Sequence, residues 1–234
     1  MSPNLSAVKS MNPATSSGPS ATIIPIAGGK GGVGKSLISA NLALVLARLG
    51  YKTIAIDLDL GAANLHSYLG LLSVPHGVAE FLRGGPKSLA ECLTATPYPN
   101  LQLIAGDAGN PFMANITPAQ QMRLMHEIRK LEADYILLDL GAGSSFLTLD
   151  FFRISYKGLL ITTPEYTAVT NMIAFLKNLA FRVMEHALPV NRELRKRLHE
   201  LYTTPVEISD YNVAGIQEFV NDLDPKVAHK LREA

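Results

Sequence analysis

The sequence predicts an α/β fold with a doubly wound, mostly parallel sheet, and three observations predict it. From Thr22 onward, short apolar runs alternate with helical patterns, as β-α crossovers require. The runs are apolar throughout instead of alternating with polar residues, the pattern of strands covered on both faces. A glycine-rich loop separates the first run from the first helix, at the strand end where such sheets gather their ligands.

At 234 residues the chain has room for one large domain or two small ones at ~150 residues each. Hydrophobic residues make up 47% and charged residues 18%, which excludes disorder over the whole length. No run approaches the ~18 uninterrupted apolar residues of a membrane span. A net charge of +1 creates no global field toward nucleic acid or anionic lipid. The single cysteine, Cys92, can form neither an intrachain disulfide nor a thiolate cluster, and a cytoplasmic location fits.

Residues 1–20 hold six serines and three prolines without an apolar run of seven. We expect a disordered tail there, ahead of a domain over residues 21–234. The expected strands are Thr22 to Ala27, Thr53 to Asp57, Leu101 to Ala105, Tyr135 to Asp139 and Gly158 to Thr163. Pro25 is discordant, because proline is out of place in a central strand. Ser36 to Leu49 reads as an apolar helix ended by Gly50, and Pro118 to Glu132 as a helix with Thr117 in N-cap position. Past Pro164 the patterns are helical: Tyr166 to Ala187, Arg192 to Tyr202, Val213 to Leu223 and Lys226 to Arg232. The helical end, about residues 188–234, lacks the further strand such a sheet normally adds, which suggests C-terminal truncation.

Gly29-Lys30-Gly31-Gly32-Val33-Gly34-Lys35-Ser36 matches G-x-x-x-x-G-K-[ST] between a strand and a helix. Glycines let the backbone wrap around an anion, and the helix N-terminus adds partial positive charge. Lys35 reaches the β- and γ-phosphates and Ser36 can ligate Mg²⁺. With Leu37, the next residue, these positions form the expected nucleotide-binding set. Lys30 is not demanded by phosphate cradling within one chain.

Two more strand ends carry carboxylates. Asp57-Leu58-Asp59 ends the second strand, with both acids on the side facing the loop. Tyr135-Ile136-Leu137-Leu138-Asp139 is followed by Leu140-Gly141-Ala142-Gly143, resembling a Walker B strand with its switch. There Asp139 would hold Mg²⁺ through water, and the Gly141 amide could approach a γ-phosphate, since glycine admits that closeness. His66, His76 and His126 have no metal-ligand spacing with one another or with Cys92.

The run from Lys30 to Ser36 resembles the deviant Walker A loop of the MinD/ParA ATPases, and Asp57 to Asn64 is most similar to that family's flagellar-number regulators, FlhG and FleN. The similarity extends from Ile23 to about Leu179. It implies ATP and Mg²⁺ as cofactors and an ATP-dependent homodimer in which Lys30, without a strong counterpart in the monomer, reaches the other copy's nucleotide. It also implies slow hydrolysis as a spatial or numerical switch for a cellular structure, with a protein client. By the same resemblance Asp57 joins Ser36 and Asp139 around the metal, Asp59 orients the attacking water, and Lys30 and Lys35 stabilise the transferring phosphoryl group. Thr162-Thr163-Pro164-Glu165 would lie near the dimer interface, or is simply a turn with a helix N-cap. A ParA-type DNA partition ATPase and an ATP-sensing scaffold without turnover remain alternatives, the near-neutral charge disfavouring nucleic acid. Peripheral contact with the inner membrane face finds no supporting segment in the sequence. The basic helix Arg192 to Tyr202 reads either as a surface for a membrane or DNA phosphates or as a helix packing Leu194, Leu198 and Leu201 on its own core.

Overall fold

The computed structural model describes residues 21–106 and 116–187, and beyond these only Lys196, Arg197, Glu200, Asn221 and Pro225. The expected tail and the helices past residue 190 lie outside the described residues, apart from those positions. The elements run β1 (Thr22–Ala27), α1 (Lys35–Arg48), β2 (Thr53–Leu58), α2 (Leu65–Tyr68), α3 (Val78–Leu82), a 3₁₀ turn (Leu89–Cys92) and β3 (Thr94–Ala95). They continue with β4 (Leu101–Ile104), α4 (Pro118–Ile128), β5 (Tyr135–Leu140), α5 (Phe146–Phe152), β6 (Leu159–Leu160) and α6 (Tyr166–Ala187).

The strands form one sheet in the order β3-β4-β2-β5-β1-β6, parallel except for the β3/β4 pair. Alternate residues feed two apolar layers. Ile54, Ile56 and Leu58 pack with Phe81, Leu124, Leu149 and Phe175 on one face. Ala55 and Leu137 pack with Ala40, Ala43, Ala47, Leu65 and Leu69 on the other. Both faces being covered explains why β2 is buried along its whole length and why its sequence is apolar without alternation. The neighbours β1 and β5 send their connections to opposite sides, to β2 and β6 respectively. Their C-terminal ends are therefore the topological switch point where ligands bind in open α/β sheets.

Pro25 fits despite its missing N–H. The Ile161 amide donates to Ala27 O at 2.8 Å, so β1 residues of odd number turn their backbone groups toward β6. β6 pairs with β1 only at Ile26 and Ala27, and at Pro25 no ladder bond is lost.

The caps explain the helix ends. α1 ends where Gly50, at φ 94°, lets its amide reach Ala47 O and that of Tyr51 reach Leu46 O. α4 starts with a capping box: Thr117 Oγ1 accepts from the Gln120 amide, and Gln120 Oε1 accepts from that of Thr117. It stops at Ile128, four residues short of the expected Glu132. β6 is likewise shorter than the apolar run around it.

Two groups of contacts tie α6 to the elements beside it. Arg182 grips Asp150 of α5 with two bonds, Nε to Oδ1 at 2.9 Å and Nη2 to Oδ2 at 2.7 Å. Asn178 Nδ2 donates to Ser144 Oγ at 2.7 Å, in the turn after β5. α5 itself is capped by Ser145, whose Oγ accepts from the Thr148 amide.

Candidate functional site

The glycine-rich loop leaves β1 and enters α1 with Gly32 at φ 78° and Gly34 at φ 93°, conformations that only glycine adopts without penalty. Gly29 is required for a different reason. A β-carbon there would lie 2.4 Å from the carbonyl carbon of Asn171, so the loop runs backbone against backbone with α6. The amide of Gly143, beyond Asp139, donates to Gly28 O at 3.0 Å. The loop is thus held from both flanks. Lys35, the first residue of α1, is buried at 7% exposure, while Ser36 is half-buried. Leu37 opens outward at 51% exposure.

Beside the loop, Asp57 and Asp139 stand opposite each other in register on β2 and β5, each 1% exposed. Asp57 Oδ1 accepts from the Asp59 amide and Oδ2 from the Leu65 amide, both at 3.0 Å. This carboxylate braces the turn between β2 and α2. Burial nevertheless pushes it up to about 7; the Leu65 amide opposes the rise and the neighbouring Asp139 adds to it. Burial also raises the Asp139 carboxyl, against the hydroxyls of Ser36 and Ser39 and the charge of Lys35. Asp139 Oδ1 accepts from Ser39 Oγ at 2.8 Å. Its Oδ2 is buried with no hydrogen-bond partner, a state that buried polar atoms rarely tolerate.

Asp59 lies at the rim of the site. A β-carbon on Gly141 would sit 3.4 Å from Asp59 Oδ1, so the second acid of the β2 end overhangs the turn after β5. The structure therefore brings together the expected set: Gly29 to Ser36, Asp57, Asp59, Asp139 and Gly141.

Lys30 is the exception. Its Nζ donates to Thr167 Oγ1 at 3.0 Å and pairs with Glu165 Oε2 at 3.3 Å. The expectation that this charge lacks a counterpart in a single chain is corrected: the start of α6 supplies one. The pair is separated by 135 positions, and only the fold joins it. Ser39 also escaped the motif, although a serine among the buried alanines of α1 was a signal.

The donors available are oxygens on a hard-cation pattern. Among the described residues no three His, Cys, Asp or Glu groups converge on a point. A divalent ion would therefore be held by the Ser36 hydroxyl, by phosphate oxygens, and by water on Asp139 Oδ2. The unpartnered oxygen, beside the Lys35 ammonium and with Asp57 and Asp59 close to Asp139, fits such a cation.

Residues 24–232 match the model of the CobQ/CobB/MinD/ParA nucleotide binding domain. The chain is 38% identical over 156 residues to the flagellum site-determining protein YlxH of Helicobacter pylori, covering 66% of this chain and 52% of that one. It is 32% identical over 157 residues to the antiactivator FleN of Pseudomonas aeruginosa, covering 66% and 55%. The chain thus spans about half the length of these relatives. Its fold superposes on the septum site-determining protein MinD of Pyrococcus horikoshii, solved with Mg-ADP, at a TM-score of 0.60 and 29% identity, covering 68% and 65%. Matched over residues 24–232, the chain belongs to the CobQ/CobB/MinD/ParA nucleotide-binding domain family.

Proposed function

We propose that the protein binds Mg·ATP, dimerises across it and hydrolyses it slowly, as a switch that sets the place or number of a cellular structure. The observation that carries the reading is the buried Asp139 Oδ2 without a hydrogen bond, at the strand end beside Lys35 and Ser36.

Lys35 and the loop amides hold the phosphates, with glycine where the loop takes positive φ, at Gly32 and Gly34, and where it runs against α6, at Gly29. Ser36 and Asp139 hold the metal ion; Asp57, expected beside them around the metal, has each carboxylate oxygen on a backbone amide, of Asp59 and of Leu65, and keeps the adjoining turn in place. Mg²⁺, when bound, neutralises charge on the phosphate oxygens. Asp59 positions the attacking water over the Gly141 turn, and the Gly141 amide contacts the γ-phosphate. Lys30 leaves Glu165 and Thr167 to meet the nucleotide of a second copy, where its charge stabilises the transferring group. The relatives named for flagellum site and septum site determination support a spatial client over a DNA cargo.

Phosphate release from Mg·ATP by the purified chain, followed with size-exclusion chromatography of the Asp59→Ala variant, tests this. Slow release by the parent and an ATP-dependent dimer in the variant are expected. Nucleotide binding without release would favour the sensing scaffold. Salt-sensitive, ATP-dependent retention of nonspecific duplex DNA would favour partition.

A further inference from the structure

α1 buries Lys35, Ser39, Ala40, Ala43 and Ala47. Apart from Lys35 at its start, Ser39 is the only polar residue on that buried face. It is fully buried. Alanine is the better helix former and would pack there like its neighbours, so the hydroxyl at 39 answers a local need.

That need is not α1's own. The Ser39 hydroxyl lies 3.0 Å from Lys35 O, one turn back, and 2.8 Å from Asp139 Oδ1 on β5. Its single proton goes to the shorter, charge-assisted bond. The Lys35 carbonyl already faces the helix ladder and needs no side-chain donor. Ser39 therefore acts across the helix–sheet interface. A carboxylate is free to rotate about its last torsion, and a donor on one oxygen fixes which oxygen is left for the site.

We propose that Ser39 is a positioning residue for the metal: by holding Asp139 Oδ1 it commits Oδ2, the oxygen without a partner, to metal-bound water beside Ser36. Ser36 and Ser39 sit three residues apart on one helix, so the metal's direct ligand and the orienter of its water-mediated ligand share one rigid element. Removing an outer-shell partner of this kind typically weakens metal affinity by about 10- to 100-fold. The inference rests on the nucleotide reading above and concerns the metal alone.

The test uses the full chain at saturating ADP, with Mg²⁺ titrated and the melting temperature as readout, and Mn²⁺ binding followed by electron paramagnetic resonance. The parent must first show a metal-dependent shift; if it does not, the nucleotide reading fails before Ser39 is tested. Ser39→Ala should raise the metal concentration for half-effect by ~10-fold or more, with the shift produced by ADP in EDTA unchanged. Ser39→Thr, which keeps the hydroxyl, should return the half-effect to within about threefold of the parent. If the alanine variant is too unstable to titrate, Ser39→Cys, close in volume and a weak donor, should give an intermediate half-effect. A lowered melting temperature with an unchanged metal half-effect would make Ser39 a packing residue only and overturn the proposal.

Discussion

Asp57 and Asp139 occupy matching positions on adjacent parallel strands, both buried, so each carboxylate is part of the other's environment. Asp57 is raised to about 7, which makes the fold pH-sensitive in a defined direction. The native chain holds this proton more tightly than the unfolded chain, whose carboxyl titrates near 3.8. Its contribution is fully present below that value and lost as pH rises through 7. In urea melts without nucleotide or metal, the chain should be more stable at pH 5.5 than at pH 8, by roughly 2 kcal/mol or more. Asp57→Asn should flatten that slope. An equal slope in the variant would mean that other groups set the pH dependence.

Mg·ATP at 100 times its dissociation constant should stabilise the parent by about 2.7 kcal/mol, or roughly 5 to 10 °C in melting temperature. In Lys35→Ala the shift should vanish, since the buried Lys35 supplies the positive charge felt by Asp139 at the end of the loop. Calorimetry in both proteins decides it; a full shift in the variant would remove Lys35 from phosphate binding.

Asp59→Ala leaves the loop and Lys35 intact. Nucleotide affinity should stay within about threefold, while single-turnover hydrolysis slows by ~10² to 10⁴. The variant's dimer should outlast the parent's. Unimpaired turnover would assign the water to another group.

The Lys30–Glu165 pair is exposed at both ends, 41% and 66%, and such pairs contribute about 0 to 1 kcal/mol. Glu165→Gln should therefore leave the melting temperature nearly unchanged. If Lys30 serves a second copy, as proposed, it must first leave Glu165, and the same change should strengthen ATP-dependent dimerisation, by up to about fivefold per protomer. Lys30→Ala in the Asp59→Ala background should elute as a monomer with Mg·ATP. Analytical ultracentrifugation of the three variants checks both outcomes, and a dimer lacking Lys30 would return this lysine to the surface of a single chain.

The legible part of the molecule was the part written in contiguous residues. The bounds of β1 and α6 match their apolar and helical runs, and the loop from Gly29 to Ser36 lies where its motif put it. What was missed is short or joined over distance. α2, α3 and β3 span four, five and two residues, less than the window in which a period can be recognised. α5 had a signal in Ser145 and Thr148, but seven residues do not outweigh the loop chemistry around them. Pro25 looked misplaced because sequence cannot show that its edge neighbour begins one residue later. Lys30's partner and Ser39's acceptor lie about a hundred positions or more away, a separation that only the finished sheet closes.

The line of contacts along α6 makes it a lever. Glu165 and Thr167 hold Lys30, Asn171 lies against Gly29, Asn178 bonds Ser144, and Arg182 grips Asp150. From Tyr166 to Arg182 the helix spans about 24 Å, and a continuous helix bends little over that length. A tilt that frees Lys30 at one end must consequently lift or slide the Asp150 knot at the other. The two ends of α6 are thereby tied to each other through one rigid element, with no separate moving part.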